Sequence, residues 1–70
     1  MKNNKLTDRQ KEIFTFIKKY IKKNSYPPSR REIADHFEIQ PNAVTDFIKI
    51  LIKKGKISVA PEVARGIRVL

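Results

Sequence analysis

Five polar side chains recur at close, partly helical spacing in the middle of the chain: Gln40, Asn42, Thr45, Asp46 and Lys49. The stretch that opens this set, QPNAVTDF, contains no lysine or arginine, although the 70-residue chain carries 16 basic against 7 acidic residues and a formal charge of +9. A surface that only adheres to phosphates needs positive charge throughout, whereas one that reads base edges needs side chains with both donors and acceptors. Asparagine or glutamine can bond N6 and N7 of adenine together, and a carboxylate accepts from the amino group of cytosine while it would repel a phosphate. Gln40, Asn42, Thr45, Asp46 and Lys49 are therefore the candidate base readers, with Lys53 one turn further on for the backbone. The competing reading is that they are ordinary exposed residues of an amphipathic helix.

The rest of the composition supports few other chemistries. There is no cysteine and a single histidine, His36, so neither a disulfide framework nor a cysteine–histidine zinc site is expected. Ser25, Ser29 and Ser58 have no acid–base constellation near them in sequence, which argues against an enzyme, a cofactor or a small-molecule substrate. No apolar run approaches the ~20 residues needed to cross a bilayer, and MKNNKLTDRQ leads directly into a polar helix start. The expectation is a cytoplasmic chain without a membrane partner. With a sequence pI near 10.2, an anionic polymer is the first partner to consider, and double-stranded DNA fits a reading face best.

Such side chains need elements to hold them, and 70 residues allow one small core. The expectation is a single domain over residues 1–70 with an ordered core of about 6–70. Thr7 and Gln10 form a capping-box pattern that opens a helix running to about residue 23. Ile13, Phe14, Ile17, Tyr20 and Ile21 fall on one stripe of it, leaving Lys11, Lys18, Lys19, Lys22 and Lys23 mainly in solvent. NSYPP must break that helix into a turn or a short strand, because Pro27 and Pro28 cannot continue it. Ser29 and Glu32 repeat the capping-box pattern and start a short helix to about residue 37.

Residues 30–49 then carry a helix-turn-helix pattern. Ile33, Phe37, Ile39, Val44 and Phe47 are apolar, Ala34 is small where two steeply crossing helices approach, and Ile39 is placed for burial in the turn. Glu38 occupies a turn position that favours glycine, so a left-handed or reshaped backbone is expected there. Pro41 opens a third helix to about residue 54, with Val44, Phe47, Ile48 and Leu51 on one side and Asn42, Thr45, Asp46, Lys49 and Lys53 on the other.

Gly55 is suited to end that helix in a left-handed cap, and KISV and RGIRVL alternate as a hairpin with Ile57, Val59, Ile67 and Val69 inward. Residues 61–64 form the connection. A hairpin after a helix-turn-helix is a wing, and it carries Arg65 and Arg68 toward phosphates or a minor groove, unless these are only a solvated basic surface. The predicted fold is mainly α with a small C-terminal hairpin, a three-helix winged helix-turn-helix.

LTDRQKEIFTFI, YPPSRREIA, PNAVTDF and ARGIRVL follow one another at nearly the spacing of the N-terminal DNA-binding domain of LexA-type (SOS) repressors, and the chain resembles that family over almost its whole length. The resemblance implies entry of the third helix into the major groove, with Asn42, Thr45 and Asp46 as base readers and Ser29 and Arg30 near the DNA backbone. The turn before PN is one residue shorter than in the best-known member and lacks a serine at the cap, so Gln40 must serve there. Thr45 and Asp46 stand where that member has two glutamates, which implies a different target. The family's serine–lysine protease and dimerisation domain has no counterpart in these residues.

The expected function is sequence-specific binding of double-stranded DNA as a transcriptional repressor, with pairing as a homodimer on a two-fold operator and a monomer or weak dimer in its absence. The alternative is a winged-helix protein-interaction module or a viral or plasmid accessory factor that modifies another regulator.

Overall fold

A computed structural model describes residues 5–61 and 65–70; the expected ordered core and wing connection therefore fall partly outside the described residues, at 62–64. The chain folds as α1 (Asp8–Asn24), α2 (Arg30–Phe37), α3 (Pro41–Lys53), β1 (Ile57–Val59) and β2 (Ile67–Val69). These are the three helices and hairpin that the sequence predicts.

Local chemistry sets each boundary. The Thr7 hydroxyl accepts from the Gln10 amide at 3.3 Å, and the Gln10 side chain accepts from the Thr7 amide at 3.0 Å. Both outer donors of α1 are satisfied in this way. Ser29 and Glu32 repeat the exchange at the start of α2, at 3.1 and 2.8 Å. Between the two helices the chain bends without strand pairing, after a left-handed Ser25 (φ 66°) that closes α1.

The helix-turn-helix closes on a left-handed Glu38, with φ 56° and ψ 45°. Across it the Ile39 amide donates to the Ala34 carbonyl at 3.0 Å and the Glu38 amide to the Asp35 carbonyl at 3.3 Å. This pair of bonds is the Schellman pattern, normally built on glycine. Ile39 is half-buried rather than enclosed, because it sits at the rim of the turn. The same pattern ends α3, where Gly55 has φ 75°, its amide donates to Ile52, and the Lys56 amide donates to Leu51.

The core lies where the three helices and the hairpin meet. Ile13 and Ile17 from α1, Ile33 and Ala34 from α2, Val44, Ile48 and Leu51 from α3, and Ile57 and Ile67 from the strands are all buried. Burying one such large aliphatic side chain stabilises by about 1.5–3 kcal/mol, so this cluster supplies most of the driving force for a chain of this size. Ala34, 2% exposed, is the small residue that lets α2 approach its neighbours. Phe14, Phe37, Phe47, Val59 and Val69 pack around the cluster half-buried.

The strands pair antiparallel with Ile57 opposite Val69, Ser58 opposite Arg68 and Val59 opposite Ile67. The Ala60 amide extends the ladder to the Gly66 carbonyl at 2.9 Å. A side chain at Gly66 would place its Cβ 2.8 Å from the Ala60 carbonyl oxygen, so the hairpin requires glycine there.

Candidate nucleic-acid interface

Pro41 and Gln40 shape the start of α3. Gln40 is its N-cap with an extended backbone, but its side chain makes no capping bond, contrary to the expectation that it would serve in place of serine. Its amide group sits one methylene further from the backbone than that of asparagine, and proline at the first helical position has no N–H to satisfy. The Ala43 and Val44 amides turn instead to the Gln40 carbonyl, at 3.0 and 3.3 Å. The Gln40 side chain takes no part in the cap.

From this start α3 divides as its periodicity predicts. Val44, Ile48 and Leu51 face the core, while Gln40, Asn42, Asp46, Lys49 and Lys53 are exposed and Thr45 is half-exposed. Residues three and four apart lie on one face of a helix, so Asn42, Thr45, Asp46, Lys49 and Lys53 form a continuous polar strip. Among the described residues, Gln40, Asn42, Asp46 and Lys49 have no intramolecular side-chain hydrogen bond or ion pair. Thr45 is the exception, with Oγ1 donating to the Pro41 carbonyl at 3.3 Å. Apart from Thr45, the strip thus presents hydrogen-bonding capacity that the described residues leave unused.

The expected backbone contacts divide into free and engaged groups. Arg30, Lys53 and Arg68 are exposed. Among the described residues they form no ion pair. Arg68 stands on the outer face of β2, between the inward Ile67 and Val69. The Ser29 hydroxyl is occupied by the cap of α2.

Arg65, which the sequence assigns with Arg68 to phosphates or a minor groove, sits in a network of its own. Its guanidinium bonds both carboxylate oxygens of Glu32, at 2.6 and 3.1 Å, and also donates to the Pro27 carbonyl at 3.0 Å. It lies over the Tyr26 ring, 4.9 Å from the centroid. Tyr20 donates its hydroxyl to Glu32 at 3.1 Å, completing the arrangement. Arg65, and next the Ser29 amide, hold the Glu32 carboxyl down at about 2, far below its ordinary 4.5. Glu32 in turn raises the Arg65 pKa, while desolvation first and the Glu32 bond second raise that of Tyr20.

Sequence reasoning recognised Glu32 only as a capping residue and placed Arg65 only on the wing. Nothing in local spacing joins two residues that meet from separate elements. It also missed Phe16, whose ring stacks on His36 with centroids 4.2 Å apart and meets Phe37 edge-on at 5.6 Å. These contacts fasten α2 to α1.

Among the described residues no cluster of three His, Asp or Glu side chains is arranged to hold a metal ion, and no helix is long and apolar enough to cross a membrane.

The family model for the LexA DNA binding domain matches residues 3–66. The chain is 47% identical over 66 residues to the LexA repressor of Pseudomonas chlororaphis, an alignment covering 93% of this chain and 33% of the relative. It is 46% identical to LexA repressor 1 of Pseudomonas putida and 44% identical to the LexA repressor of Pseudomonas aeruginosa, each over the same 66-residue length. The chain spans about one third of the length of these relatives. Taken with the three helices and the wing, the match over nearly the whole chain establishes that this protein belongs to the LexA DNA-binding domain family.

Proposed function

We propose that residues 1–70 act as one winged helix-turn-helix domain that binds double-stranded DNA sequence-specifically and represses transcription. The observation that carries this reading is the exposed strip of α3, where Gln40, Asn42, Asp46 and Lys49 make no side-chain hydrogen bond or ion pair among the described residues, on a chain of charge +9. In the major groove these residues and Thr45 read base edges, while Arg30, Lys53 and Arg68 hold phosphates and Ser29 lies near the backbone. Arg65 is left out of the phosphate set because Glu32 and the Pro27 carbonyl already engage it. The LexA relatives from Pseudomonas are named as repressors, which supports the regulatory half of the proposal, and a repressor of this kind works in the cytoplasm, at the nucleoid.

A homodimer on a two-fold operator is part of the same reading, because a single small module buries only about 600–1,000 Å² on DNA and gains specificity by pairing. The test is selection of binding sites from random duplexes followed by titration over a range of salt. Each phosphate contact contributes about 0.9 to the slope of log affinity against log salt. A preferred sequence with a steep slope is the expected result. Absence of measurable duplex binding at low salt would overturn the proposal and favour a role in binding another regulator.

A further inference from the structure

Of the two arginines on the wing, one is held and the other projects from the outer face of its strand. Arg65 makes three hydrogen bonds to Glu32 and Pro27 and stacks on Tyr26, whereas Arg68 projects from β2 without an ion pair among the described residues. The Arg65–Glu32 pair also differs in kind from the other described ion pair. Arg9 and Glu12 are neighbours on one helix joined at a single 3.3 Å contact. Arg65 and Glu32 come from the wing and from α2, meet at both carboxylate oxygens, and are only 41% and 36% exposed. A forked guanidinium–carboxylate contact fixes orientation as well as distance.

Its position gives that rigidity a consequence. Glu32 lies in the first turn of α2, where its Oε1 also accepts from the Ser29 amide. The same carboxylate therefore caps the first helix of the helix-turn-helix and receives the wing. Resting on the DNA-binding reading above, we infer that Arg65 is a positioning residue: its pair with Glu32 docks the wing against the N-terminus of α2, so that Arg30 and Arg68 meet the DNA backbone in a fixed register with α3, and Arg65 itself touches no phosphate.

The roles of clamp and phosphate ligand make opposite demands. A phosphate contact needs charge alone, so Arg65→Lys retains most of its effect, Glu32→Gln leaves it intact, and Arg65→Ala lowers the salt slope by about 0.9. A clamp needs the fork and the carboxylate. Glu32→Gln keeps an oxygen for the Ser29 amide, preserving the cap, but loses the charge-assisted pair.

The experiment measures duplex affinity and its salt slope for the wild type, Arg65→Ala, Arg65→Lys, Glu32→Gln and the double variant Glu32→Gln/Arg65→Ala. Amide exchange at Ala60 is followed in the free proteins, since that amide closes the ladder beside Arg65 by bonding Gly66. The expected result is a threefold to tenfold loss of affinity, on the order expected for one partly exposed pair, in each single variant, no further loss in the double, and a salt slope changed by less than about half a unit. Ala60 should exchange faster in each variant while the α1 amides keep their protection. A slope lowered by about one unit in Arg65→Ala, restored by lysine and indifferent to Glu32→Gln, overturns the inference in favour of a phosphate contact. If even the wild type binds no duplex, the DNA-binding reading fails separately, and the inference then stands or falls on whether Ala60 exchange rises.

Discussion

On α3, the Thr45 hydroxyl donates to the Pro41 carbonyl one turn earlier, at 3.3 Å. Its single proton is directed inward, so toward a partner the side chain offers an acceptor oxygen and a methyl group. It is therefore suited to accept from an amino group of adenine or cytosine. Thr45→Ser keeps the acceptor and should leave base preference unchanged. Thr45→Val removes the hydroxyl and should lower affinity for the preferred duplex by about 1 kcal/mol, with loss of preference at one position. Site selection with both variants checks this, and the reverse pattern would mean that the methyl, packed against thymine, makes the contact.

Asn42 is exposed in the first turn of the same helix, and among the described residues its side chain has no hydrogen-bond partner. Asn42→Ala should cost about 1–3 kcal/mol on the best site while leaving binding to random duplex nearly intact. Competition titrations of the two duplexes measure the contrast. Equal losses on both would remove Asn42 from the reading set.

The legible parts of the molecule were those written in short-range chemistry. Two capping boxes, Pro41, Gly55 and the turns of apolar residues each act within a few positions, and each places an element boundary within one or two residues. The left-handed turn at Glu38 was legible for the same reason, as a position of fixed backbone geometry. Long-range partners were not. The bond from Lys54 to Gln10, the stacking of Phe16 on His36 and the Arg65–Glu32 pair depend on how helices cross, which no local pattern encodes. Arg65 looked like a free cation because its neighbours in sequence do not include the carboxylate that holds it.

The depressed carboxyl of Glu32 gives the clamp a defined pH window. Its folded-state pKa is about 2 against an ordinary 4.5. A lowered carboxyl contributes stability that is fully present above the ordinary value and is lost as pH falls through the folded one. Wing docking should therefore be insensitive to this group from about pH 5 upward and weaken between about 4.5 and 2. Thermal melts of wild type and Glu32→Gln should differ by a constant amount above pH 5 and converge in acid. A difference undiminished at pH 2 would show that the ion pair is not its source.

Glu38 holds a left-handed conformation that ordinary side chains resist, at about 1–2 kcal/mol for a residue with a Cβ. Glycine removes that resistance but loses more freedom on folding, so the two effects partly cancel. Glu38→Gly should raise stability by up to about 1 kcal/mol, and Glu38→Val should lower it by more than that. Chemical denaturation decides the signs. A destabilised glycine variant would mean that the Glu38 side chain makes an unrecognised contribution to the turn.

The surface predicts how copies of this domain share an operator. Among the described residues, the large hydrophobics that remain exposed are Tyr26, Ile52 and Leu70, in the α1–α2 link, the end of α3 and the end of the chain, and Tyr26 is overlain by Arg65. A stable interface buries about 1,200–2,000 Å² in total around an apolar centre, which three side chains on separate elements do not supply. A charge of +9 also repels an identical copy. Residues 1–70 alone should therefore be a monomer or weak dimer that recognises one half-site. Joining two copies through a dimerisation module fused after Leu70 by a flexible linker makes the second contact intramolecular, and avidity should rise on the order of 10²–10⁴ on a two-fold site. The same fusion should change affinity for a lone half-site little. Sedimentation of residues 1–70 and titration of both proteins on half-site and full-site duplexes test the two parts. A stable dimer without DNA, or a fusion that gains nothing on the full site, would place the pairing surface within these 70 residues.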